Sequence, residues 1–263
     1  MAPLSPHKNI KKCRKKNQHH WFKHVPKELV TEILARVASL SVTDLINAKT
    51  SCKEFFEAAS EDYVFEHVNI TSFPVIPWWI NHGASSFLER CKKSENPEAL
   101  FRQGMIDYFS TLKHDSGLKF LKKAASKGHV EATYVYGIIL VCYGGKHQNK
   151  GVKLLSDLKR SKSSFIITEC RRKVQKIVRM MWVKNYIVGI GQTEEKEKFL
   201  KKRKSCNCCN TKALCSLAGD QTRNYSRWKS DEDFEDDHFS CDSCLWDLEA
   251  MKFCKMLRTG SYR

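Results

Sequence analysis

The sequence predicts a mainly α protein, on three observations. Apolar residues recur at helical spacing through residues 24 to 70. A pattern of alanine, glycine and leucine repeats itself about one helical hairpin later, between residues 93 and 160. The strongest apolar run, Tyr134 to Tyr143, is about half the ~20 residues needed to cross a bilayer and reads as a buried helix. The expected architecture is an N-terminal three-helix unit, a helical-hairpin repeat region and a small Cys-rich C-terminal segment stabilised by zinc.

Composition sets the bounds on function. The chain has 263 residues, 41% of them hydrophobic and 11% aromatic, enough apolar material for a core. A formal charge of +17 favours anionic partners such as nucleic acid, acidic protein patches or lipid headgroups. The first residues are basic and carry no apolar stretch of the kind that directs secretion, so a reducing nuclear or cytoplasmic location is expected. The 12 cysteines are then thiols, metal ligands or redox groups in preference to a disulfide framework.

Residues 1 to 23 read as a basic tail. Its cluster Lys11-Lys12-Cys13-Arg14-Lys15-Lys16 suits a nuclear localisation signal or a solubilising tail. From residue 24 the character changes. Pro26 opens a helix that carries Leu29, Ile33, Leu34 and Val37. Ser41, with Asp44 three residues on, caps a second helix whose stripe is Leu45, Ala48, Cys52, Phe55 and Ala59. Ser60 is placed to cap a third, holding Tyr63, Val64, His67 and Val68. So short a unit buries little by itself, so its apolar stripe is either local core or a docking surface for helices of another chain.

The order and spacing of Val25-Pro26-x-Glu28-Leu29-x-x-x-Ile33-Leu34, then Ser41-x-x-Asp44-Leu45-x-x-Ala48, then Cys52-Lys53-x-Phe55 and Tyr63-Val64-Phe65 resemble an F-box. Val25 stands where leucine is common, and Phe55 and Phe65 where many members have tryptophan, but these swaps keep bulk and polarity. The resemblance implies that residues 24–70 bind a Skp-type adaptor within a cullin-RING ubiquitin ligase. The apolar set it implies for that contact is Val25, Pro26, Leu29, Ile33, Leu34, Val37 and Leu45, all expected to be exposed.

Residues 71 to 92 read as a connector broken by Pro74 and Pro77, with Trp78 and Trp79 either packing it onto the next unit or forming a ligand platform. In residues 93–160, Ala99-x-x-x-x-Gly104 recurs as Ala132-x-x-x-x-Gly137, and Gly117-Leu118-Lys119-x-Leu121 as Gly151-Val152-Lys153-x-Leu155. Offsets of 33 and 34 belong to helix-turn-helix repeats. The stretch from Leu121 to Gly137 resembles a Sel-like repeat, a relative of the tetratricopeptide family. It implies protein binding on a concave helical face, or else a helical spacer. Because about one and a half repeats are too few to stand alone, neighbouring segments must cap them.

Residues 161–191 read as a long basic amphipathic helix, with Ile167, Cys170, Val174, Ile177, Val178 and Met181 on one stripe and Arg171, Arg172, Lys173, Lys176, Arg179 and Lys184 on the others. Such a helix either packs its stripe and solvates its charges or binds membrane, calmodulin or nucleic acid. Residues 192–263 hold 7 of the 12 cysteines. Cys206-x-x-Cys209 and Cys241-x-x-Cys244 have the knuckle spacing of a tetrahedral four-cysteine zinc site, with Cys208, Cys215 and His238 as spare ligands. The alternative is a set of core thiols.

Two functions from different classes follow. The first is a substrate-recognition adaptor that joins a Skp-type protein and a cullin scaffold to an unknown protein substrate, with no catalytic residue of its own and no membrane contact. The second is a basic nucleic-acid-binding protein with a zinc knuckle, suggested by the 17 basic and five acidic residues between Lys150 and Lys204. No motif supports an enzyme.

Overall fold

The computed structural model describes residues 25–76, 81–161, 165–185, 187 and 241–260. All regular structure among them is helical, and no helix among them is long and apolar enough to cross a membrane.

Helix α1 spans Lys27–Leu40. Pro26 holds the capping position with φ at −53°, and its carbonyl accepts from the amides of Leu29 and Val30. Ser41 then turns the chain and starts α2, Val42–Lys49, its hydroxyl accepting from the Asp44 amide at 3.1 Å. The long stripe expected through Ala59 is cut here. Cys52 restarts the chain as the cap of α3, Lys53–Ala58, its sulfur 3.5 Å from the Phe55 amide. Helix α4, Asp62–His67, follows Glu61 without a side-chain cap, because the Ser60 hydroxyl donates backward to the Phe56 carbonyl. The N-terminal unit therefore has four short helices, not three. Val30, Leu34, Ala38, Leu45, Val64 and Ile70 form its core.

Part of the expected connector is helical. Asn81 caps α5, His82–Lys93, by accepting from the Ala84 amide at 2.8 Å. Phe87 of α5 stacks on Phe73 at 5.3 Å, and Cys91 enters the first core. Pro77, Trp78 and Trp79 lie outside the described residues.

Two hairpins follow. The first pairs α6, Pro97–Met105, extended by a π-helical turn at Ile106–Ser110, with α7, His114–Ser126. The second pairs α8, Val130–Tyr143, with α9, Gly145–Ser161. Their sequence echo has a packing cause. A Cβ on Gly104 would lie 2.8 Å from Leu121 Cγ, and one on Gly137 would lie 2.7 Å from Leu155 Cγ. The same glycine meets the same leucine in each hairpin, so both positions must lack a side chain.

Helix α10, Ile166–Arg179, is shorter than expected. Residues 181–185 then run back along the π turn, where the Lys184 and Asn185 amides both donate to the Phe109 carbonyl. Helix α11, Asp242–Gly260, packs on α8, α9 and α10. Its Trp246, Phe253 and Leu257 share one core with Phe109, Tyr134, Leu155 and Val174. The Cys-rich tail thus contributes a helix to the repeat core, and α10 and α11 supply the cap that so short an array needs.

Candidate partner-binding surface

Helix α1 has two apolar faces. Val30, Leu34 and Ala38 point into the core, with Leu34 only 2% exposed. On the opposite side Leu29 and Ile33 are each 55% exposed and Leu40 is 82% exposed. Leu29, Ile33 and Leu40 follow one another at intervals of four and seven, so they form one stripe along the helix. Folding leaves this stripe in water, although burying each such side chain would be worth ~1.5–3 kcal/mol. Arg36, which ion-pairs with Glu32 at 3.0 Å, lies among them. Tyr63 of α4 joins the same side by donating to Glu32 at 2.7 Å. Ile46 and Phe56 are also exposed, and the Lys49 ammonium lies 4.9 Å from the Phe56 ring.

The structure divides the expected contact set. Leu29, Ile33 and Pro26 are exposed, and Val25 and Val37 are half-buried. Leu34 and Leu45 are core residues, so their expected exposure is corrected. Leu34 falls about 100° around the helix from Ile33, which turns it inward, and Leu45 fills the space beneath α1. The exposed Leu40, Ile46 and Phe56 were missed, and the spacing of Leu40 from Ile33 was the available signal.

A polar clamp fixes this unit to the repeats. The Asn96 amide nitrogen lies within 2.8–3.1 Å of the carbonyls of Phe65, Glu66 and Val68 at the end of α4, while its oxygen caps α6 through the Ala99 amide. Arg102, buried, donates to the carbonyls of Ile70, Phe73 and Pro74 and to Glu98. Glu98 in turn meets His129 at 2.7 Å. Burial works to raise the Glu98 carboxyl, but the His129 hydrogen bond and the Arg102 charge outweigh it and hold the group below its ordinary value. A depressed carboxylate stabilises the fold above its unfolded pKa and loses that contribution as pH falls through the folded value. Glu98→Gln is therefore expected to flatten the decline in melting temperature below about pH 4.5, measured against the unsubstituted chain over the same acid range. Equal acid slopes would contradict this role.

The expected concave binding face is not open along α8. Its residues Tyr134, Val135 and Gly137 through Cys142 are all buried. Helix α11 covers them in part with Phe253, whose ring lies 6.1 Å from both Tyr134 and Phe109. The basic face expected of α10 is also incomplete. Arg171 is turned inward onto Glu249 of α11, at 2.7 and 2.8 Å. The spacing gave no warning of this, because the partner lies 78 residues away.

Of the four expected zinc ligands, Cys241 and Cys244 are described. Cys241 stands at the start of α11, and its sulfur accepts from the Cys244 amide at 3.5 Å. Cys206 and Cys209 lie outside the described residues, as do Cys208, Cys215, His238 and the basic cluster Lys11–Lys16. Among the described residues no three metal-ligating side chains gather.

Comparison with known proteins adds two findings. The family model for plant tetratricopeptide repeats matches residues 71–179. Curated homologues are F-box proteins of Arabidopsis thaliana. One, named as an F-box protein, is 36% identical over 188 residues, covering 70% of this chain and 62% of the relative. Two further F-box proteins are 29% identical over 126 residues (48% of this chain, 77% of the relative) and 27% identical over 127 residues (48% and 34%). The chain thus spans under two thirds of the length of the first of these relatives. No solved structure matches it.

Proposed function

We propose that this chain, a homologue of Arabidopsis F-box proteins, is a non-catalytic substrate-recognition adaptor of a Skp-cullin-F-box ubiquitin ligase. The observation that carries the reading is the exposed apolar stripe of Leu29, Ile33 and Leu40, set on a unit whose own core is already filled by the other face of α1. Such a surface suits the helices of an adaptor protein. The chemistry needed is proximity alone, since tethering a substrate beside a charged conjugating enzyme raises its effective concentration. The clamp at Asn96 and Arg102 fits that task, because it fixes the distance from adaptor to substrate-holding region. The test is co-purification of the full chain with a plant Skp-type protein and a cullin. Binding through apolar burial persists at high salt, and failure to bind at any salt concentration overturns the reading.

We also propose one structural zinc, held by Cys206, Cys209, Cys241 and Cys244, and residence in the nucleus or cytoplasm. Zinc would pin the start of α11, whose remainder caps the repeats. Elemental analysis of the reduced full chain is expected to find one zinc per chain. Cys241→Ser with Cys244→Ser is expected to lose it, because two remaining thiolates hold a tetrahedral ion weakly. A folded, reduced chain without zinc contradicts the site.

A further inference from the structure

The capping helix carries a second thiol arrangement, independent of the adaptor reading. Cys254 of α11 and Cys142 at the end of α8 lie with their sulfurs 3.7 Å apart, both buried, although 112 residues separate them in sequence. Each belongs to the core that joins α11 to the repeats. We propose that Cys142 and Cys254 are an oxidation site at which a hydroperoxide closes an intramolecular disulfide, latching the capping helix onto the repeat module.

The geometry asks for little movement. The sulfurs must close from 3.7 Å to ~2.05 Å, within reach of side-chain rotation and a small helix shift. The two thiols are also unequal. The hydrogen bond between the two thiols lowers the Cys254 thiol against the opposing effect of its burial, and Arg258, one turn further along α11, adds to the lowering. The same hydrogen bond, with burial, raises Cys142. By contrast burial pushes Cys91 and Cys170 up to about 12, which leaves them poor nucleophiles.

The order of events follows. The Cys254 thiol gives up its proton and the thiolate attacks the terminal oxygen of the hydroperoxide: a sulfur–oxygen bond forms, the O–O bond breaks, and the leaving alkoxide (hydroxide, for hydrogen peroxide) takes up the released proton and departs as the alcohol or water. Cys254 is now a sulfenic acid, oxidised by two electrons. The Cys142 sulfur attacks it, the sulfur–sulfur bond forms, and water departs with the Cys142 proton. In sum, two thiols and one hydroperoxide give one disulfide, one alcohol and one water. Access to the buried sulfurs requires transient local opening of α11 from α8, α9 and α10, the helices it packs on.

The experiment uses the reduced full chain, treated with hydrogen peroxide, alkylated and mapped without reduction. The expected product is the Cys142 peptide linked to the Cys254 peptide. Closing a loop of more than a hundred residues should raise the melting temperature by roughly 5–10 °C, reversed by dithiothreitol. In Cys142→Ser the sulfenic acid should persist on Cys254 and be captured by dimedone. Recovery of both residues as alkylated thiols or as separate sulfinic acids, while other cysteines have oxidised, overturns the proposal. So does a disulfide from Cys254 to any other cysteine. The mapping of the unsubstituted chain decides the matter even if the variant does not fold.

Discussion

Leu29→Asp combined with Ile33→Asp is expected to weaken binding of a Skp-type adaptor by at least ~100-fold without changing helix content or melting temperature. Both residues are more than half exposed in the chain alone, so the folded monomer loses far less packing when they change than it would at a core position. In a complex they would be covered. Each substitution then removes ~1.5–3 kcal/mol of apolar burial and places a carboxylate against an apolar surface without a partner. Two sites together exceed ~3 kcal/mol, about two orders of magnitude in Kd. Leu34→Asp is the informative control. It lies one residue further along the same helix but is buried, so it should collapse the unit outright, with loss of the circular dichroism signal. Titration calorimetry that found unchanged affinity in the folded double variant would remove the α1 stripe as the docking surface.

The difference between Leu34 and its neighbour Ile33 marks what the sequence conveyed. The order of apolar residues and caps was sufficient to locate a helix at 27–40 and to place the Ser41 cap, because both depend on contacts within a few residues. It was also sufficient for the hairpin repeats. A glycine that must admit a leucine leaves the same mark each time the hairpin recurs, as Gly104 and Gly137 do. Which face of α1 turns inward depended on α2, α3 and α4 closing over it, and periodicity alone left two apolar faces in competition. The clamp went unread, because nothing local says that the Asn96 amide capping α6 also holds the end of α4. The inward turn of Arg171 and the burial of Glu249 were not legible at all. An arginine in a basic run reads as a solvated charge until a carboxylate from the other end of the region is folded against it.

That pair carries the largest effect expected on stability. Arg171→Met is expected to lower the melting temperature by about 10 °C, whereas Arg171→Met with Glu249→Gln should recover about half of the loss. The Arg171 side chain is 11% exposed and that of Glu249 is fully buried, and the guanidinium meets the carboxylate through two parallel hydrogen bonds. The Tyr134 hydroxyl also donates to the carboxylate. Burial, then the Glu249 charge, holds that hydroxyl well above its ordinary value, so it remains a donor. Methionine replaces the arginine stem but leaves the buried Glu249 carboxyl without its cationic partner, with the Tyr134 hydroxyl still donating to it. Breaking a buried pair on one side costs about 3–5 kcal/mol, a large share of a domain's total of ~5–15 kcal/mol, and each kcal/mol is worth about 2–4 °C at this chain length. Glutamine at 249 removes the stranded charge yet still accepts from Tyr134, so the remaining deficit is that of ordinary hydrogen bonds, ~1–3 kcal/mol. The single variant should also loosen α11 before the rest of the chain, since Glu249 sits on the helix that caps α8, and amide exchange along 242–260 should quicken ahead of exchange in α6 and α7. Equal melting temperatures for the single variant and the unsubstituted chain would show that the Arg171–Glu249 pair does not hold the α11 cap in solution, leaving that task to Trp246, Phe253 and the other contacts of the helix.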